Sequence, residues 1–103
     1  MLSVLVACYN EEINIIPTIK EIKKTWSNCK INKFEIIIIN DKSTDRSKDI
    51  ISKYIQNSDE KNIKLINNET NLGYGGSVKK GMKKANNEFI IWVPGDNAHK
   101  EKE

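Results

Sequence analysis

Residues 34–47 read FEIIIINDKSTDRS, and this stretch sets the fold class. Its first half is an almost unbroken run of β-branched apolar residues, whereas its second half is a run of short polar residues. A strand that is apolar at successive positions is covered on both faces, as are the strands of parallel sheets packed between helices. The stretch therefore predicts a buried strand over Phe34–Asn40 that ends in a polar loop.

Three further stretches share this short, β-branched character, and helical patterns separate them. We predict strands over Leu2–Cys8, Ile63–Asn67 and residues 88–93, with a turn at Pro94-Gly95 closing the last one. The order β-α-β-α-β-α-β at this spacing implies right-handed crossovers and a mainly parallel sheet. The sequence thus predicts an α/β fold, a Rossmann-like three-layer sandwich.

Each helical pattern places its apolar residues three or four positions apart. In the third pattern, residues 76–85, we expect Val78, Met82 and Ala85 to face inward. Gly81 suggests close packing against the sheet, because glycine otherwise costs about 1 kcal/mol in a helix. Ser43 or Thr44 is expected to cap the second helix through its side-chain oxygen. The expected inward-facing residues of the first two helices are Ile15, Ile16, Ile19, Ile22, Trp26, Ile50, Ile51, Tyr54 and Ile55.

The composition fits one small domain and disfavours several classes of protein. The 103 residues are 38% hydrophobic and 30% charged, and the net charge of +3 is spread along the chain, so nucleic acid is not an expected partner. Cys8 and Cys29 form no C-x-x-C motif, which favours buried thiols in a reducing compartment. Neither a signal peptide nor a membrane span is predicted. We expect a cytoplasmic location, which includes the cytoplasmic face of a membrane.

Polar residues follow all four predicted strands. In an open parallel sheet, ligands bind outside the carboxyl ends of the strands, so these four segments are where function is expected. The loops at the opposite edge look like generic turns. The four segments at the carboxyl ends of the strands, called strand exits below, read ACYNEE (residues 7–12), NDKSTD (40–45), NETNLGYGG (68–76) and PGDNAH (94–99).

Each strand exit also has a purely structural interpretation. Asn10 or Glu11 can cap the first helix. Asp41 and Ser43 can form an Asx turn. The glycines of the third exit can supply turns with positive φ, and Asn97 in the fourth exit can be a turn residue. The hypothesis of a functional site therefore rests on four polar loops occurring together along one edge of the sheet.

With these motifs in this order, the chain resembles the N-terminal, nucleotide-binding half of family 2 glycosyltransferases of the GT-A fold. The likeness is greatest to polyprenyl-phosphate sugar transferases of the dolichol-phosphate mannose synthase type. The motifs resemble the family's Y-N-E-E opening, its D-D-G-S-T-D loop, its glycine-rich helix start and its D-x-D strand exit. The matching segments are SVLVACYNEEINI (3–15), EIIIINDKSTDRS (35–47), NLGYGGSVKKGMKKA (71–85) and FIIWVPGDNAH (89–99).

The resemblance implies that the ligand is a nucleotide-diphosphate sugar. Tyr9 and the backbone near Ala7 would then lie against the base, and Glu11 would lie near the ribose. Asp41 would accept a hydrogen bond from the base, and the glycines would let the loop pass close to the diphosphate. The nucleotide-binding residues implied in this way are Ala7, Tyr9, Asn10, Glu11, Asn40, Asp41, Ser43, Gly73, Gly75 and Gly76.

The resemblance also implies a divalent cofactor, Mg²⁺ or Mn²⁺. Asp96 matches the second acid of D-x-D, and Pro94 stands in place of the first. A hard cation held by carboxylate oxygen neutralises the charge that develops on a departing diphosphate, and Mg²⁺ often uses only one or two carboxylates. Asp96 is therefore the expected metal ligand.

By the same likeness, residues 1–103 are the donor nucleotide-binding half of a truncated GT-A domain, without the acceptor half and its general base. The expected reaction is transfer of a sugar from the nucleotide to an acceptor such as a lipid phosphate or a glycan. An alternative is a nucleotide-binding module without catalytic activity. An open edge of the sheet would favour pairing with a second copy or with another chain.

A dinucleotide-binding oxidoreductase is disfavoured by the glycine pattern. Val78 stands where the G-x-G-x-x-G motif has its third glycine, and the loop follows the third strand and not the first. A P-loop is disfavoured as well, because neither serine nor threonine follows Lys79-Lys80.

Overall fold

The computed structural model of the chain describes residues 2–27, 34–58, 62–85 and 89–94. Strands and helices alternate in the predicted order. The strands are β1 (Leu2–Cys8), β2 (Phe34–Asn40), β3 (Ile63–Asn67) and β4 (Phe89–Pro94), and the helices are α1 (Ile15–Ser27), α2 (Ser47–Asn57) and α3 (Gly73–Lys84).

The four strands form one parallel sheet in the order β3-β2-β1-β4. At its centre, Cys8 of β1 lies in register with Asn40 of β2, and Asn40 lies in register with Asn67 of β3. Because all strands run the same way, their carboxyl ends meet at one edge of the sheet. The predicted convergence of the first three strand exits is therefore confirmed.

Alternate residues of the central strands face opposite helix layers. Val4, Val6 and Ile38 are fully buried in a cluster with Ile19 of α1 and Ile51 of α2. On the other face, Leu5, Ile37 and Ile39 form a second buried cluster, against which Ala85 packs. The sheet thus lies between α1 and α2 on one side and α3 on the other, and the three-layer α/β prediction is confirmed.

The inward face of α3 differs from the prediction. Met82 is 51% exposed, whereas Ser77 and Gly81 are buried. A Cβ atom on Gly81 would lie 2.8 Å from Cδ1 of Ile39, so the helix axis approaches the sheet too closely for a larger side chain. The close packing predicted for Gly81 is confirmed, and the inward position predicted for Met82 is wrong.

Strand β4 ends one residue later than predicted. Pro94 is its last residue and lies in register with Ala7 of β1. Proline lacks an amide hydrogen and is tolerated in a strand at the border of a sheet. The turn predicted at Pro94-Gly95 thus does not begin at Pro94, while Gly95 and Glu88 lie outside the described residues.

Strand β4 pairs with β1 and has no second neighbour within the described part of the chain. An apolar cavity of about 350 Å³ lies beside it and is lined by Trp92, Val93 and the α1 residues Ile22 and Trp26, among others. Pairing of this edge with another chain remains a prediction. No helix in the described ranges is long and apolar enough to cross a membrane.

Candidate functional site

In the described part of the chain, the polar edge of the sheet consists of three loops and the start of one helix. Loop 1 comprises residues 9–14, loop 2 residues 41–46 and loop 3 residues 68–72, and they follow β1, β2 and β3, respectively. Helix α3 begins directly after loop 3. The loops are bonded to one another through short polar side chains, so the edge is a connected structure and not a set of separate turns.

Loops 1 and 2 are joined by backbone amides that donate to side chains. Three consecutive amides of loop 1 take part, each with a different acceptor. Asn10 N donates to Ser43 Oγ (3.0 Å), Glu11 N to Ser47 Oγ (2.9 Å) and Glu12 N to Asp45 Oδ2 (3.2 Å). The acceptors lie 33 to 36 residues further along the chain, so this junction depends on the pairing of β1 with β2.

The Asn10 side chain also joins the two loops, and here the amides of loop 2 are the donors. Its Oδ1 atom accepts from the amides of Thr44 (2.7 Å) and Asp45 (3.3 Å). The residue has a φ of 53°, in the left-handed region that asparagine tolerates better than most residues. Asn10 therefore fixes the conformation of both loops, and it does not cap α1.

Asn40 connects loop 2 to β3. The side chain is 2% exposed, its Nδ2 donates to Asn67 Oδ1 at 3.0 Å, and its Oδ1 accepts from the Ser43 hydroxyl. Both ends of the amide are therefore engaged within the protein. The structure places Asn40 and Ser43 beneath the edge as supports for loop 2.

The Asp41 carboxylate lies at the N-terminus of α3. Its Oδ1 accepts from the amide of Leu72 (2.7 Å) and from Nδ2 of Asn68 (2.9 Å), and its Oδ2 accepts from the amide of Gly73 (2.9 Å). Leu72, the N-cap residue, has no side-chain oxygen with which to cap the helix. Asp41 takes that role from loop 2, which follows a different strand, and its negative charge is favourable beside the positive end of the helix dipole.

The pKa of Asp41 is held below its ordinary value of 3.8. Burial by itself raises this pKa, because it disfavours the charged form. The hydrogen bonds from Leu72, Asn68 and Gly73 favour the carboxylate and outweigh the effect of burial. Asp41 is therefore ionised at neutral pH, and it is an acceptor and not a proton donor.

Asp45 has the matching position at the start of α2. Its Oδ1 accepts from the amide of Ser47 at 2.9 Å, whereas the N-cap residue Arg46 provides no side-chain cap. Burial raises the pKa of Asp45, but hydrogen bonds from Ser47 and Glu12 bring it below its ordinary value. The predicted capping of α2 by Ser43 or Thr44 is wrong, because the helix begins closer to Asp45.

The glycines belong to the first turn of α3. Gly73 has a φ of 74°, which favours glycine, and Gly75 has open space where a Cβ atom would lie. A Cβ atom on Gly76 would lie 2.8 Å from Cβ of Leu72. The helix predicted over residues 76–85 thus begins earlier, at Gly73, and the glycines expected in the loop before it lie in its first turn.

The remaining predicted residues lie at the exit of β1. Ala7 is half-buried within the strand, and the Tyr9 side chain is 47% exposed. The main-chain oxygen of Glu11 accepts from the amide of Ile15 at 2.8 Å, at the start of α1. Cys8 is a buried free thiol, and burial raises its pKa. The Tyr9 ring is thus accessible to solvent at this end of the strand.

The predicted metal ligand and second cysteine cannot be placed in the site, whereas three buried polar residues join it without having been predicted. Asp96 and Cys29 lie outside the described residues. Within the described ranges, no group of three or more His, Cys, Asp or Glu residues could hold a metal ion. Sequence reasoning did not single out Ser47, Asn68 or Ser77, all of them buried. Of these, only Asn68 carried a signal, because it directly follows a predicted strand.

Comparisons with known proteins agree with this architecture. The chain is 34% identical over 102 residues to the dolichyl-phosphate beta-glucosyltransferase of Dictyostelium discoideum, a match that covers 94% of this chain and 31% of that protein. The structure of S. aureus TarS 1-349 in complex with UDP matches with a TM-score of 0.76 and 31% identity, over 92% of this chain and 27% of that one. This chain thus spans between a quarter and a third of the length of these relatives.

A further structure has a similar fold at low sequence identity. The mannosyltransferase PcManGT from Pyrobaculum calidifontis, in complex with GDP-Man and Mn²⁺, matches with a TM-score of 0.82 and 18% identity, over 92% of this chain and 27% of that one. The sequence profile of glycosyl transferase family 2 matches residues 3–103. The chain therefore belongs to glycosyl transferase family 2, with the α/β architecture of GT-A enzymes.

Proposed function

We propose that the chain binds the nucleotide-diphosphate part of a nucleotide sugar at the polar edge of its sheet, as the donor half of a glycosyltransferase. The observation that carries this proposal is the edge itself, where three cross-bonded loops meet the glycine-rich start of α3. Ligands of open parallel sheets bind at this edge. TarS, a relative of similar fold, has structures with UDP and with UDP-GlcNAc, which supports the same class of ligand here.

The proposed base site is at the exit of β1. The exposed Tyr9 ring can stack on a base, and Ala7 is small enough to let a base approach the strand end. Asp41 would accept from the base through Oδ2, which meets the amide of Gly73, whereas Oδ1 accepts from both Leu72 and Asn68. Glu11 is assigned to the ribose because the family resemblance implies that role.

The proposed diphosphate site is the start of α3. Helix N-termini attract phosphate through free amides and the positive end of the helix dipole. Because Asp41 already bonds the amides of Leu72 and Gly73, the phosphate would approach the amides that follow them in the first turn. Gly75 leaves open space beside the first turn, and a phosphate oxygen could approach the backbone there. Asn10, Asn40 and Ser43 would contribute indirectly, by holding the loops against one another.

Asp96 is the proposed ligand of Mg²⁺ or Mn²⁺. It follows Pro94, the last residue of β4, by two positions, and β4 ends at the same edge as the other strands. The described part of the chain has no cluster of three metal-binding residues, so this proposal depends on one carboxylate together with the diphosphate. When bound, the cation would neutralise charge on the diphosphate.

Complete sugar transfer is proposed to require an acceptor-binding part besides the donor half. A general base must lie within about 3 Å of the attacking hydroxyl, and the carboxylates of Asp41 and Asp45 are already bonded to backbone amides. Because this chain spans 31% of the Dictyostelium relative, the other part would correspond to the rest of that length. The proposed acceptor is a lipid phosphate or a glycan.

Calorimetric titration of the chain with UDP-, GDP- and dTDP-sugars in the presence of Mn²⁺ tests the proposal. Binding of at least one donor is expected, with an affinity reduced about tenfold or more in Asp96→Ala. Asp49→Ala, which removes an exposed carboxylate from α2, is the matched control and should bind like the wild type. No binding of any donor, or equal affinities in the two variants, would contradict the donor site or the metal ligand, respectively.

A nucleotide-binding module without transferase activity is the second candidate. It is favoured by the engagement of both loop 2 carboxylates in capping bonds. Incubation of the chain with radiolabelled donor, with and without lipid phosphate acceptors, separates the two candidates. Formation of glycosylated product would argue against the module, whereas donor binding without any product would favour it.

A further inference from the structure

Asn68 is a buried polar residue that the proposed site has not yet used. It directly follows β3 and is 4% exposed. Its Nδ2 atom donates to Asp41 Oδ1 at 2.9 Å and to Ser77 Oγ at 3.1 Å, and its backbone amide donates to the main-chain oxygen of Asn40 at 2.9 Å. One side chain thus bonds the β2 exit to the second turn of α3.

The orientation of the Asn68 amide is fixed by the Asp41 charge. Its Oδ1 atom is buried and has no hydrogen-bond partner within the described residues. Rotating the amide by 180° would exchange its two ends and bring Oδ1 against the Asp41 carboxylate, so two acceptors would face each other. The observed orientation of the amide therefore keeps the bond from Nδ2 to Asp41 and leaves Oδ1 of Asn68 buried without a partner among the described residues.

The Asn68 bond also adds a side-chain donor to the two backbone donors that orient the Asp41 carboxylate. Asn68 shares Oδ1 with the amide of Leu72, while Oδ2 meets the amide of Gly73. Donors on both oxygens hold the plane of the carboxylate across the first amides of α3. Ser77, which is 1% exposed, ties the same asparagine to the buried face of that helix.

We propose that Asn68 is a positioning residue for the donor site, which it serves by holding the Asp41 carboxylate and the first turn of α3 in their binding arrangement. The inference rests on the proposed function, because Asp41 and α3 are the groups assigned there to the base and to the diphosphate. Asn68 itself is assigned no contact with the base or with the diphosphate. Its chemical requirement is a neutral side chain that donates a hydrogen bond toward a carboxylate.

The pair Asn68→Asp and Asn68→Ala tests this requirement. Aspartate has nearly the shape of asparagine but places a second carboxylate beside Asp41, whereas alanine removes the donor and leaves a small void. A residue that only fills space would tolerate aspartate better than alanine. A residue that positions Asp41 should show the reverse order, with donor affinity reduced about tenfold in Asn68→Ala and further in Asn68→Asp.

Two measurements on the full chain keep the result interpretable. Calorimetry gives the affinity for the nucleotide, and ¹H–¹⁵N spectra of the free protein report the Leu72 and Gly73 amides, which are deshielded by a carboxylate acceptor. Asn62→Ala is the matched control, because Asn62 donates to the main-chain oxygen of Phe34 near the opposite edge of the sheet. It should leave both amide signals and the affinity unchanged.

The outcomes separate this inference from the proposed function. Upfield shifts of both amide signals in the Asn68 variants, together with the expected order of affinities, would support it. Unshifted signals, or an affinity in Asn68→Asp within twofold of the wild type, would overturn it. If the wild type binds no nucleotide, the proposed function fails, and the amide signals still decide whether Asn68 holds α3. If the Asn68 variants do not fold, Ser77→Ala, which removes the hydroxyl that bonds Asn68 Nδ2 and also stabilises the Asp41 carboxylate, should give a smaller upfield shift of the same two amide signals. Unshifted amide signals in Ser77→Ala would count against the proposal.

Discussion

Helices α2 and α3 both begin at the polar edge of the sheet, and the two N-termini are stabilised in different ways. Neither N-cap residue, Arg46 or Leu72, supplies a side-chain cap. At α2 the acceptor is Asp45, two residues before the amide that it bonds. At α3 it is Asp41, 31 and 32 residues before its two amides. The first cap can form locally, whereas the second exists only when β2 and α3 have come together.

The difference indicates that the start of α3, more than that of α2, is held in a fixed position in which a ligand can bind. A local cap stabilises its own helix and needs no neighbour. A cap from another strand couples the helix start to the sheet, so the position of α3 is fixed relative to the β2 exit. Gly73 and Gly75 can then lie in the first turn, although glycine weakens a helix, because tertiary contacts hold the turn in place.

Asp41→Ala should have the largest effect on this comparison. We expect the free energy of unfolding to fall by about 2–4 kcal/mol, because two backbone amides lose a charged acceptor in a mostly buried setting. Urea unfolding monitored by circular dichroism measures the change. Asp49→Ala, an exposed first-turn acid of α2, is the control and should cost less than about 1 kcal/mol. An Asp41→Ala effect no larger than this control would refute the capping role.

Acid should destabilise the protein through both carboxylates. The folded-state pKa values of Asp41 and Asp45 lie below 3.8, so the unfolded chain binds protons first as the pH falls. Their stabilisation is complete above pH 3.8 and is lost as the pH falls through the folded-state values. The free energy of unfolding, measured between pH 6 and pH 2, should fall less steeply in Asp41→Asn. A slope equal to that of the wild type would contradict the assignment.

Asp45→Ala should have a smaller effect than Asp41→Ala. The expected loss is about 1 kcal/mol, typical of a single helix cap, because its position is half-buried and water can reach the freed amide of Ser47. The same urea titration gives the value. If Asp45→Ala proves as costly as Asp41→Ala, then the local and the tertiary cap do not differ, and the comparison fails.

Lys42→Gly should have the smallest effect, and it should be stabilising. Lys42 has a φ of 55°, a strained conformation for a residue with a side chain, and it stands where the family resemblance expects glycine. We expect a gain of about 0.5–1 kcal/mol in the free energy of unfolding. Lys53→Gly in α2 is the matched control and should lose about 1 kcal/mol. A loss in both variants would show that Lys42 makes a contact worth more than its strain.

Much of the fold could be predicted because its determinants are local. Four β-branched runs separated by helical patterns allow little besides a parallel sheet, and the strand bounds agree to within one residue where the structure describes them. The spacing of apolar residues places Met82 on the inward face of α3, whereas the structure exposes it. The sheet instead accepts the small residues Ser77 and Gly81, since α3 approaches Ile39 so closely.

The position of the site could be predicted from the sequence, but the hydrogen bonds that join its segments could not. The strand-exit rule located Asp41, Asn10 and the glycines, because the carboxyl ends of parallel strands must share an edge. It could not show that Asp41 bonds the α3 amides, nor that Asn10 receives two amides of loop 2. These pairs are more than 30 residues apart in sequence, and nothing in their spacing specifies them.

The sequence by itself determined the order of elements, the parallel sheet, the edge that carries the polar loops and the likeness to family 2 glycosyltransferases. These follow from short-range patterns of hydrophobicity and from motifs that can be read in order. Only the tertiary structure decided that Asp41 caps a helix from a distant loop, that Asn68 holds it there and that α3 begins at Gly73. Those features depend on distances of about 3 Å between segments that the chain brings together only on folding.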